Sequence, residues 1–382
     1  MIRDWLLILL SKNYQCMKAD FSVKTPSRSY PVYVRSELQE IPFANLLQSY
    51  DSDRIFIVID ENAEIQFGAK IRSLLNNLSI ALPEYVVPSG ESSKSYDQWK
   101  SIVDFLLLNG ARRNTPLLAI GGGVTGDLAG FAASVVMRGI PLIHLPTTLL
   151  AMVDSSVGGK TGLNHPQGKN LIGSFYQPDA IVMNTGFLKT LPKKQWINGL
   201  SEILKYAAIR DKSIFDTCEK LFLNKSFSAE SEMPDELIRK CAKIKSDIVA
   251  RDEKESGLRM ILNFGHTFAH ALENCSGYDK INHGEAVFTG MIAAVHLSNN
   301  IGGELDISIL ESFSGLYEID DSIRSLPVNK LVDAMYHDKK RLTKNLKLVL
   351  LQDWEKPYVK EMSDTSLITE AWNYALDLIS SK

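Results

Sequence analysis

The sequence has few cysteines and no marked excess of charge of either sign. Its 382 residues include only Cys16, Cys218, Cys241 and Cys275, and none of them forms a CxxC pair. Such scattered cysteines are typical of reduced thiols in a cytoplasmic protein. Lys and Arg number 42 against 45 Asp and Glu, a formal net charge of −3. We therefore expect no nucleic-acid or membrane partner, and an anionic ligand would need a local basic pocket.

Long apolar runs are also missing, including at the N-terminus. The opening segment "MIRDWLLILLSKNYQCMKADF" has an apolar core of only residues 5–10. This core is short for a secretion signal and far below the roughly 20 residues of a membrane-spanning helix. Met17 is an alternative start, which would make residues 1–16 a non-native extension.

The first half of the chain alternates apolar segments with segments of helical spacing. The helical spacing lies in residues 63–78 and in "YDQWKSIVDFLLL", and the strand-like segments are "RIFIVID", "EYVVPS", "TPLLAI" and "PLIHLP". This alternation predicts an open, mostly parallel, Rossmann-like sheet. The leading "ADFSVKTPSRSYPVYV" predicts a hairpin at its edge.

The second half is dominated by helical patterns. After about residue 191 the first strong strand is "LKLVLL" at Leu346–Leu351. We therefore predict an α/β domain over residues 17–193 and an all-helical domain over residues 194–382.

A glycine-rich segment, "GGGVTGDLAG", follows one predicted strand and opens a helix. Gly121, Gly123 and Gly126 form a G-x-G-x-x-G pattern, which lets a phosphate approach the backbone at a helix N-terminus. The pattern lies on a late strand, and no acidic residue follows about 20 residues later. From these residues alone, a nucleotide site and an ordinary tight turn both stay open.

The segment "LPTTLLAMVDSSVGGKTGLNHPQGKNLIG" is rich in glycine and polar residues and contains Lys160 and Lys169. It predicts a long polar loop, which is unusual inside a compact domain unless it is functional or mobile. Two lysines in a glycine-rich run favour phosphate or carboxylate binding, and the alternative is a solvated loop.

Three of the seven histidines, His266, His270 and His283, lie within 24 residues of one another. On one continuous helix Arg259, Asn263, His266, His270 and Glu273 would form a polar stripe, whereas a helix starting at Gly265 would keep only the last three. Imidazoles four residues apart can converge on one Zn²⁺, although a single helical histidine is usually structural. The missing HExxH glutamate excludes a metalloprotease of that type. Spacing alone leaves open which histidines would be ligands and which carboxylate would join them.

Taken together, these segments resemble the sugar phosphate cyclases, and most closely the 3-dehydroquinate synthases of the shikimate pathway. The resemblance spans residues 60–351 in matching order. The segments that carry it are "SGESSK", "GGGVTGDLAGFAA", "MRG", "PTTLLAMVDSSVGGKTGLNHPQGKNLIGSFYQP", "FLKTLP", "GLSEILKYAAI", "GLRMILNFGHTFAHALE" and "HGEAVFTGM".

The resemblance implies two cofactors, NAD and a divalent metal, Zn²⁺ or Co²⁺. The implied metal ligands are Glu202, His266 and His283. The implied NAD contacts are Ser89, Gly90, Glu91, Ser92, Ser93, Lys94, Gly123, Val124, Thr125, Gly126, Asp127, Thr147, Thr148, Lys160, Lys169, Phe187, Leu188, Lys189 and Thr190.

It also implies a set of substrate and catalytic residues. They are Arg138, Asp154, Lys160, Asn170, Lys205, Lys245, Arg259, Asn263 and His270, with one further lysine left open among Lys339, Lys340 and Lys347. A homodimer is expected from the resemblance alone.

The implied reaction converts 3-deoxy-D-arabino-heptulosonate 7-phosphate (DAHP) into 3-dehydroquinate and phosphate. It proceeds through transient oxidation by NAD, β-elimination of phosphate, re-reduction and an intramolecular aldol closure, so the net reaction is that of a lyase. Two enzymatic alternatives are a cyclase acting on another sugar phosphate and a metal-dependent polyol dehydrogenase of the same fold. A non-enzymatic cofactor-binding scaffold is the third.

Overall fold

The computed structural model describes residues 18–41, 43–47, 50, 52–76, 78, 80–223, 227, 233–277, 280–338 and 345–380. These residues form two compact units. The first contains the chain up to Thr147 together with Gly159–Gly186, and the second contains Thr148–Gly158 together with the chain from Phe187 onward. The predicted boundary at 193/194 stays a prediction. The possible extension over residues 1–16 lies outside the described residues.

The first unit is built on a seven-stranded sheet in the order β1-β2-β9-β6-β5-β3-β4. All neighbouring strands are parallel except β1 and β2, which form an antiparallel hairpin at the edge. The predicted mostly parallel sheet and its edge hairpin are thus confirmed. The strands are β1 Phe21–Lys24, β2 Ser29–Arg35, β3 Phe56–Asp60, β4 Glu84–Val87, β5 Leu117–Gly121, β6 Leu142–Pro146 and β9 Ala180–Asn184.

Helices cover the sheet because its central strands are apolar on both faces. Strands β5, β6 and β9 are buried at every position, as expected of a parallel sheet. The helices of this unit are α1 Phe43–Leu47, α2 Glu61–Ala63, α3 Ala69–Asn76, α4 Tyr96–Leu108 and α5 Gly123–Val135, with a π-helical segment Glu64–Gly68 between α2 and α3.

The prediction of a long polar loop is wrong for the second half of that segment, which forms a hairpin. Strands β7 Lys160–His165 and β8 Gly168–Phe175 pair antiparallel. A Cβ on Gly162 would lie 2.4 Å from the Ile172 carbonyl oxygen, so the two backbones approach closely where the sequence shows only flexible residues. In the first half, Ala151–Ser155 forms a π-helical turn within the second unit.

The second unit is helical, as predicted, apart from one antiparallel hairpin of β10 Leu346–Leu351 and β11 Pro357–Met362. The predicted strand at Leu346–Leu351 is confirmed, and its pairing with β11 means that the unit is not all-helical. The helices are α6 Lys193–Ile209, α7 Ser213–Phe222, α8 Asp235–Arg251, α9 His266–Ser276, α10 His283–Asn300, α11 Ser308–Glu311, α12 Asp321–Arg324, α13 Val328–Asp338 and α14 Thr365–Ser380.

The interior of the second unit is assembled around α10, which packs against α6, α9 and α14. An edge-to-face contact between Phe268 and Trp372, with ring centroids 5.2 Å apart, fills the space between α9 and α14. No helix in the described part of the chain is both long and apolar enough to cross a bilayer.

Candidate functional site

Three helix segments bring the predicted metal ligands together in the second unit. Glu202 lies in the middle of α6, where almost every residue is buried, and its side chain is only 1% exposed. A buried carboxylate needs a partner, because an isolated charge in the interior is strongly unfavourable.

The start of α9 is set by Gly265, whose φ of +78° suits glycine. The preceding residues, Leu258–Asn263, form a separate 3-10 helix. The alternative of one continuous helix from Arg259 to Glu273 is therefore wrong, and the alternative of a helix that starts at Gly265 is confirmed. His266 becomes the first residue of α9.

The start of α10 is set by a capping box between Asn282 and Glu285, which makes His283 the first residue of that helix. Helix α6 holds this start in place: Asn198 Oδ1 accepts a hydrogen bond from the Gly284 N–H at 2.6 Å, and Ser201 Oγ donates to the Gly284 carbonyl oxygen at 2.6 Å.

The three side chains converge on one small volume. One ligand atom from each of Glu202, His266 and His283 lies within 4.8 Å of the other two. Oε1 of Glu202 is 3.5 Å from Nε2 of His266 and 3.5 Å from Nε2 of His283. Donor atoms of a tetrahedral zinc site with bonds near 2.1 Å are separated by about 3.4 Å. The observed spacing therefore fits a shared cation.

The burial and the charge of Glu202 also fit metal binding. Both of its oxygens are buried; Oε2 is in ion-pair contact with Lys205, and Oε1 faces the two imidazoles. Burial raises the pKa of Glu202, but the Lys205 charge, the hydrogen bond of His283 and the charge of His266 together outweigh it and lower the pKa to about 2. The carboxylate is ionised at neutral pH, as metal binding requires.

In each of the two histidines, Nδ1 lies near an oxygen atom. Nδ1 of His266 lies 3.1 Å from the Phe264 carbonyl oxygen, and Nδ1 of His283 lies 3.5 Å from Oε1 of the buried Glu273. Such contacts orient ligand histidines and leave Nε2 for a metal. Burial lowers the pKa of His266 to about 3. Burial also acts to lower the pKa of His283. Its hydrogen bonds with Glu202 and Glu273 and the negative charges of these two residues outweigh burial and raise the pKa to about 10.

Next to these ligands lies a buried cluster around Asp154. Its carboxylate accepts a hydrogen bond from the Tyr206 hydroxyl at 2.5 Å and lies 2.9 Å from Lys245 Nζ and 3.6 Å from Lys205 Nζ. The two lysines hold the pKa of Asp154 well below its usual value against the effect of burial. Burial lowers the pKa of Lys245 to about 8.

Arg259 is held rigidly, whereas His270 reaches the surface. Arg259 is 1% exposed and donates hydrogen bonds to the carbonyl oxygens of Glu253 at 2.5 Å and Gly158 at 3.1 Å. Asn263 donates to Glu255 at 2.7 Å. His270 is exposed, with its ring 5.9 Å from the His266 ring, and it is outside the three-residue group.

In the first unit, predicted NAD residues gather at the carboxyl ends of β3, β4, β5 and β6. Gly122 caps α5, and a Cβ on Gly121 would lie 2.8 Å from Asp60 Cβ, so only glycine lets β5 approach the end of β3. The sheet order reverses between these two strands, which is where α/β sheets bind ligands. Ser89 Oγ donates to Asp60 at 3.2 Å, and the Thr147 N–H donates to the Gly121 carbonyl oxygen at 2.9 Å.

Lys94 connects this edge to the hairpin. Its buried ammonium group contacts the Asp127 carboxylate and donates to Asn170 Oδ1 at 2.5 Å. Asn170 has a φ of +56°, a conformation in which asparagine is over-represented among non-glycine residues. Lys160 and Lys169 lie on the same hairpin.

Some predicted residues stand apart from these groups. Arg138 is exposed in a tight turn with a φ of +64°. Thr148 and residues 187–190 belong to the second unit, where the side chains of Phe187 and Leu188 are buried. Lys347 is exposed on β10, 3.7 Å from Glu361. Lys339 and Lys340 lie outside the described residues.

Sequence reasoning missed several polar residues of these groups. Tyr206 and Glu255 were not singled out, and Glu273 was seen only as part of a stripe. Asp60 had a usable signal, because an acidic residue at the end of a buried strand often lies at a ligand edge. Tyr206 had no such signal in the sequence, because a tyrosine next to a lysine is common on helices that carry no functional site.

Known protein families match the part of the chain that contains this site. Residues 84–198 match the family model "3-dehydroquinate synthase N-terminal", and residues 199–341 match "3-dehydroquinate synthase C-terminal". The chain belongs to the 3-dehydroquinate synthase family. Within that family, the 3-dehydroquinate synthase of Desulforamulus reducens is 38% identical over 331 residues, which cover 85% of this chain and 91% of the relative.

Solved structures of related cyclases resemble this member of the 3-dehydroquinate synthase family. A 2-epi-5-epi-valiolone synthase from Streptomyces hygroscopicus subsp. jinggangensis with NAD⁺ and Zn²⁺ bound has a TM-score of 0.81 and 25% identity, over 97% of this chain and 100% of the other. A 2-deoxy-scyllo-inosose synthase complexed with carbaglucose-6-phosphate, NAD⁺ and Co²⁺ has a TM-score of 0.76 and 25% identity, over 92% and 99%.

Proposed function

We propose that this chain converts DAHP into 3-dehydroquinate and inorganic phosphate, as a carbon–oxygen lyase that uses NAD and a divalent metal. The observation that carries the proposal is the convergence of Glu202, His266 and His283 beside a buried cationic cluster. Membership of the 3-dehydroquinate synthase family supports the same reaction.

Glu202, His266 and His283 would hold the metal, for which Zn²⁺ and Co²⁺ are the candidates, because related cyclases bind these ions. When bound, the ion would act as a Lewis acid that polarises a substrate oxygen. Such an ion needs unprotonated Nε2 atoms and an ionised carboxylate as donors, so its binding would displace the proton that His283 holds while its pKa is about 10.

The glycine turn at Gly121–Gly123 and the N-terminus of α5 would hold the NAD pyrophosphate, since free N–H groups and the helix dipole favour an anion there. Bound NAD would take a hydride from the substrate and return it later in the same turnover. Asp60, Ser89 and Lys94 contribute polar groups at the same edge of the sheet.

The cationic side chains match the charge of the substrate. DAHP carries a phosphate and a carboxylate, and Lys205, Lys245 and Arg259 are held in fixed positions by buried hydrogen bonds and ion pairs. Groups fixed before binding lose little entropy when they orient an anion. His270, exposed beside His266, would move a proton, because an imidazole has one nitrogen that can accept a proton and one that can donate it.

A cyclase of another sugar phosphate is the second candidate. It is favoured by the similarity to the structure with carbaglucose-6-phosphate bound. Against it, Arg259 and Asn263 are both held by defined partners, as is expected where a substrate carboxylate must be bound. A polyol dehydrogenase of the same fold would not need so many cations.

The test is a substrate panel with the metal-loaded protein and catalytic NAD⁺. We expect phosphate release from DAHP and none from sedoheptulose 7-phosphate or glucose 6-phosphate. His283→Ala should lose bound metal and activity with its circular dichroism unchanged. Phosphate release from another sugar phosphate alone would contradict the proposed substrate, and full activity of His283→Ala would contradict the ligand assignment.

Two further features belong to this proposal. A cytoplasmic location is supported by the free state of Cys218, Cys241 and Cys275, the three cysteines among the described residues. The homodimer expected from the resemblance stays a prediction, to be tested by light scattering at micromolar concentration.

A further inference from the structure

The hairpin of β7 and β8 has an irregularity next to its tip. Leu163 pairs with Ile172 and His165 pairs with Gly168, so the register shifts between Leu163 and His165. Asn164 lies at that shift. A residue at such an irregularity leaves the regular ladder, and its side chain and N–H can be directed elsewhere.

Asn164 uses this freedom to bind the turn of Glu91–Ser93 and its end at Lys94. Its backbone N–H donates to the Lys94 carbonyl oxygen at 2.8 Å. Its side-chain Nδ2 donates to Glu91 Oε1 at 2.7 Å. Two hydrogen bonds, one of them to a charged group, thus connect the hairpin to the turn that follows β4.

The same side chain also holds the returning strand. Oδ1 of Asn164 accepts a hydrogen bond from the Asn170 N–H at 3.1 Å. Asn170 is in the left-handed region of the backbone, which costs a non-glycine residue free energy unless its surroundings hold it there. Its side chain then accepts from Lys94 Nζ at 2.5 Å, which closes a ring of contacts through Asn164, Asn170 and Lys94.

We propose that Asn164 is a positioning residue that fastens the 91–94 turn to the hairpin. It thereby holds the predicted NAD contacts Glu91 and Lys94 and the predicted substrate contact Asn170 in one arrangement. This inference rests on the proposed function, because those roles belong to it. Asn164 itself was assigned no role by sequence reasoning.

A purely structural role explains the arrangement less well. Asn164 is partly exposed, so its truncation leaves no cavity in the apolar core. All three of its partners belong to the groups predicted to touch NAD or substrate. Its amide uses both its donor and its acceptor, and only a side chain of this shape can serve Glu91 and Asn170 together.

The experiment compares Asn164→Ala, Asn164→Asp and the double variant Asn164→Asp/Glu91→Gln, with Glu91→Gln as a reference. The matched control is Asn109→Ala, which loses one hydrogen bond to the Phe105 carbonyl oxygen at the far end of α4 from the turn. For each protein, NAD⁺ binding is measured by calorimetry, kcat and KM for DAHP by phosphate release, and folding by the thermal midpoint.

We expect Asn164→Ala to weaken NAD⁺ binding about tenfold and to raise KM for DAHP several-fold, because a hydrogen bond to a charged group is lost. Asn164→Asp keeps the acceptor for the Asn170 N–H but sets a carboxylate against Glu91. It should weaken NAD⁺ binding at least as much while KM for DAHP stays closer to that of the wild type. Adding Glu91→Gln restores a donor–acceptor pair and should recover NAD⁺ affinity relative to Asn164→Asp.

Asn164→Ala with both parameters within twofold of the wild type would overturn the assignment. A double variant that binds NAD⁺ no better than Asn164→Asp would overturn it as well. If Asn164→Ala does not fold, the comparison of Asn164→Asp with the double variant decides alone. A wild-type protein that neither binds NAD⁺ nor consumes DAHP would overturn the proposed function, and this inference with it, whereas unchanged variants of an active wild type overturn this inference alone.

Discussion

At the scale of single residues, the orientation of His283 depends on Glu273. The carboxylate lies 3.5 Å from Nδ1 of the ring, on the side away from Glu202. Glu273 is 2% exposed, and burying a carboxylate there is unfavourable unless it has polar partners. We infer that it fixes the ring so that Nε2 faces the predicted metal.

We predict that Glu273→Gln raises the dissociation constant for Zn²⁺ about 10- to 100-fold, the usual effect of losing such an outer partner. The measurement is competition with a chromophoric chelator. Glu370→Gln is the control, because Glu370 lies 3.7 Å from His296 Nε2 elsewhere in the same unit. Equal zinc affinity in the two variants would show that Glu273 does not support the ligand.

His144 gives a prediction about pH and stability in the first unit. It is 7% exposed on β6, and burial lowers its pKa from 6.5 to about 4. Between these values the unfolded chain binds a proton that the folded chain excludes, so stability falls as the pH drops below 6.5. At pH 5 the loss relative to pH 7 should be about 2 kcal/mol.

His144→Gln should remove that part of the pH dependence, because glutamine does not titrate. Urea unfolding at pH 5 and pH 7 measures the difference for the wild type and the variant. His165→Gln, a change at an exposed histidine of the same unit, should keep the wild-type dependence. An unchanged pH dependence in His144→Gln would mean that His144 is not the group responsible.

At the scale of elements, the metal group depends on how closely α9 and α10 approach. A Cβ on Gly290 of α10 would lie 2.1 Å from the Gly265 carbonyl oxygen and 3.0 Å from the Ala269 nitrogen. This close contact holds the start of α9 against the middle of α10, about two turns after His283. The His266 ring then lies 5.4 Å from the His283 ring. A larger residue at 290 would force the two helices apart.

Gly290→Ala should therefore lower the free energy of unfolding and weaken zinc binding, although alanine favours a helix by about 1 kcal/mol over glycine. A lower free energy of unfolding would show that the clash between the helices outweighs the helix preference of alanine, and a higher one would show the reverse. Gly257→Ala is the control, since its nearest neighbour would be 4.0 Å away. A more stable Gly290→Ala variant with unchanged zinc affinity would show that the two helices tolerate the methyl group.

Elements also show where sequence reasoning succeeded and where it could not. The apolar strands and amphipathic helices of the first unit were predictable because their periodicity is local. The β7–β8 hairpin was missed, since its pairing depends on two glycine-rich backbones in contact, and glycine carries no pattern. His266 and His270 were the visible pair, but it is His283 that meets His266, because the approach of α9 and α10 leaves no trace in residue spacing.

At the scale of the whole molecule, each unit contributes a different kind of chemistry. The sheet of the first unit ends in a glycine turn and a polar edge suited to a dinucleotide. The second unit gathers two imidazoles, a carboxylate and several cations. The residues that we propose for this reaction are spread from Asp60 to His283, so no short motif could have identified it alone.

The central claim is that hydride transfer in this protein is transient, so that phosphate is lost without net oxidation. It is tested most directly by recording phosphate and NADH together during turnover of DAHP with NAD⁺ at one hundredth of the substrate concentration. We predict many phosphate molecules released per NAD⁺, no accumulation of NADH, and complete loss of the reaction after metal removal by EDTA. Accumulation of NADH in step with substrate consumed, or phosphate release that survives EDTA, would contradict the account.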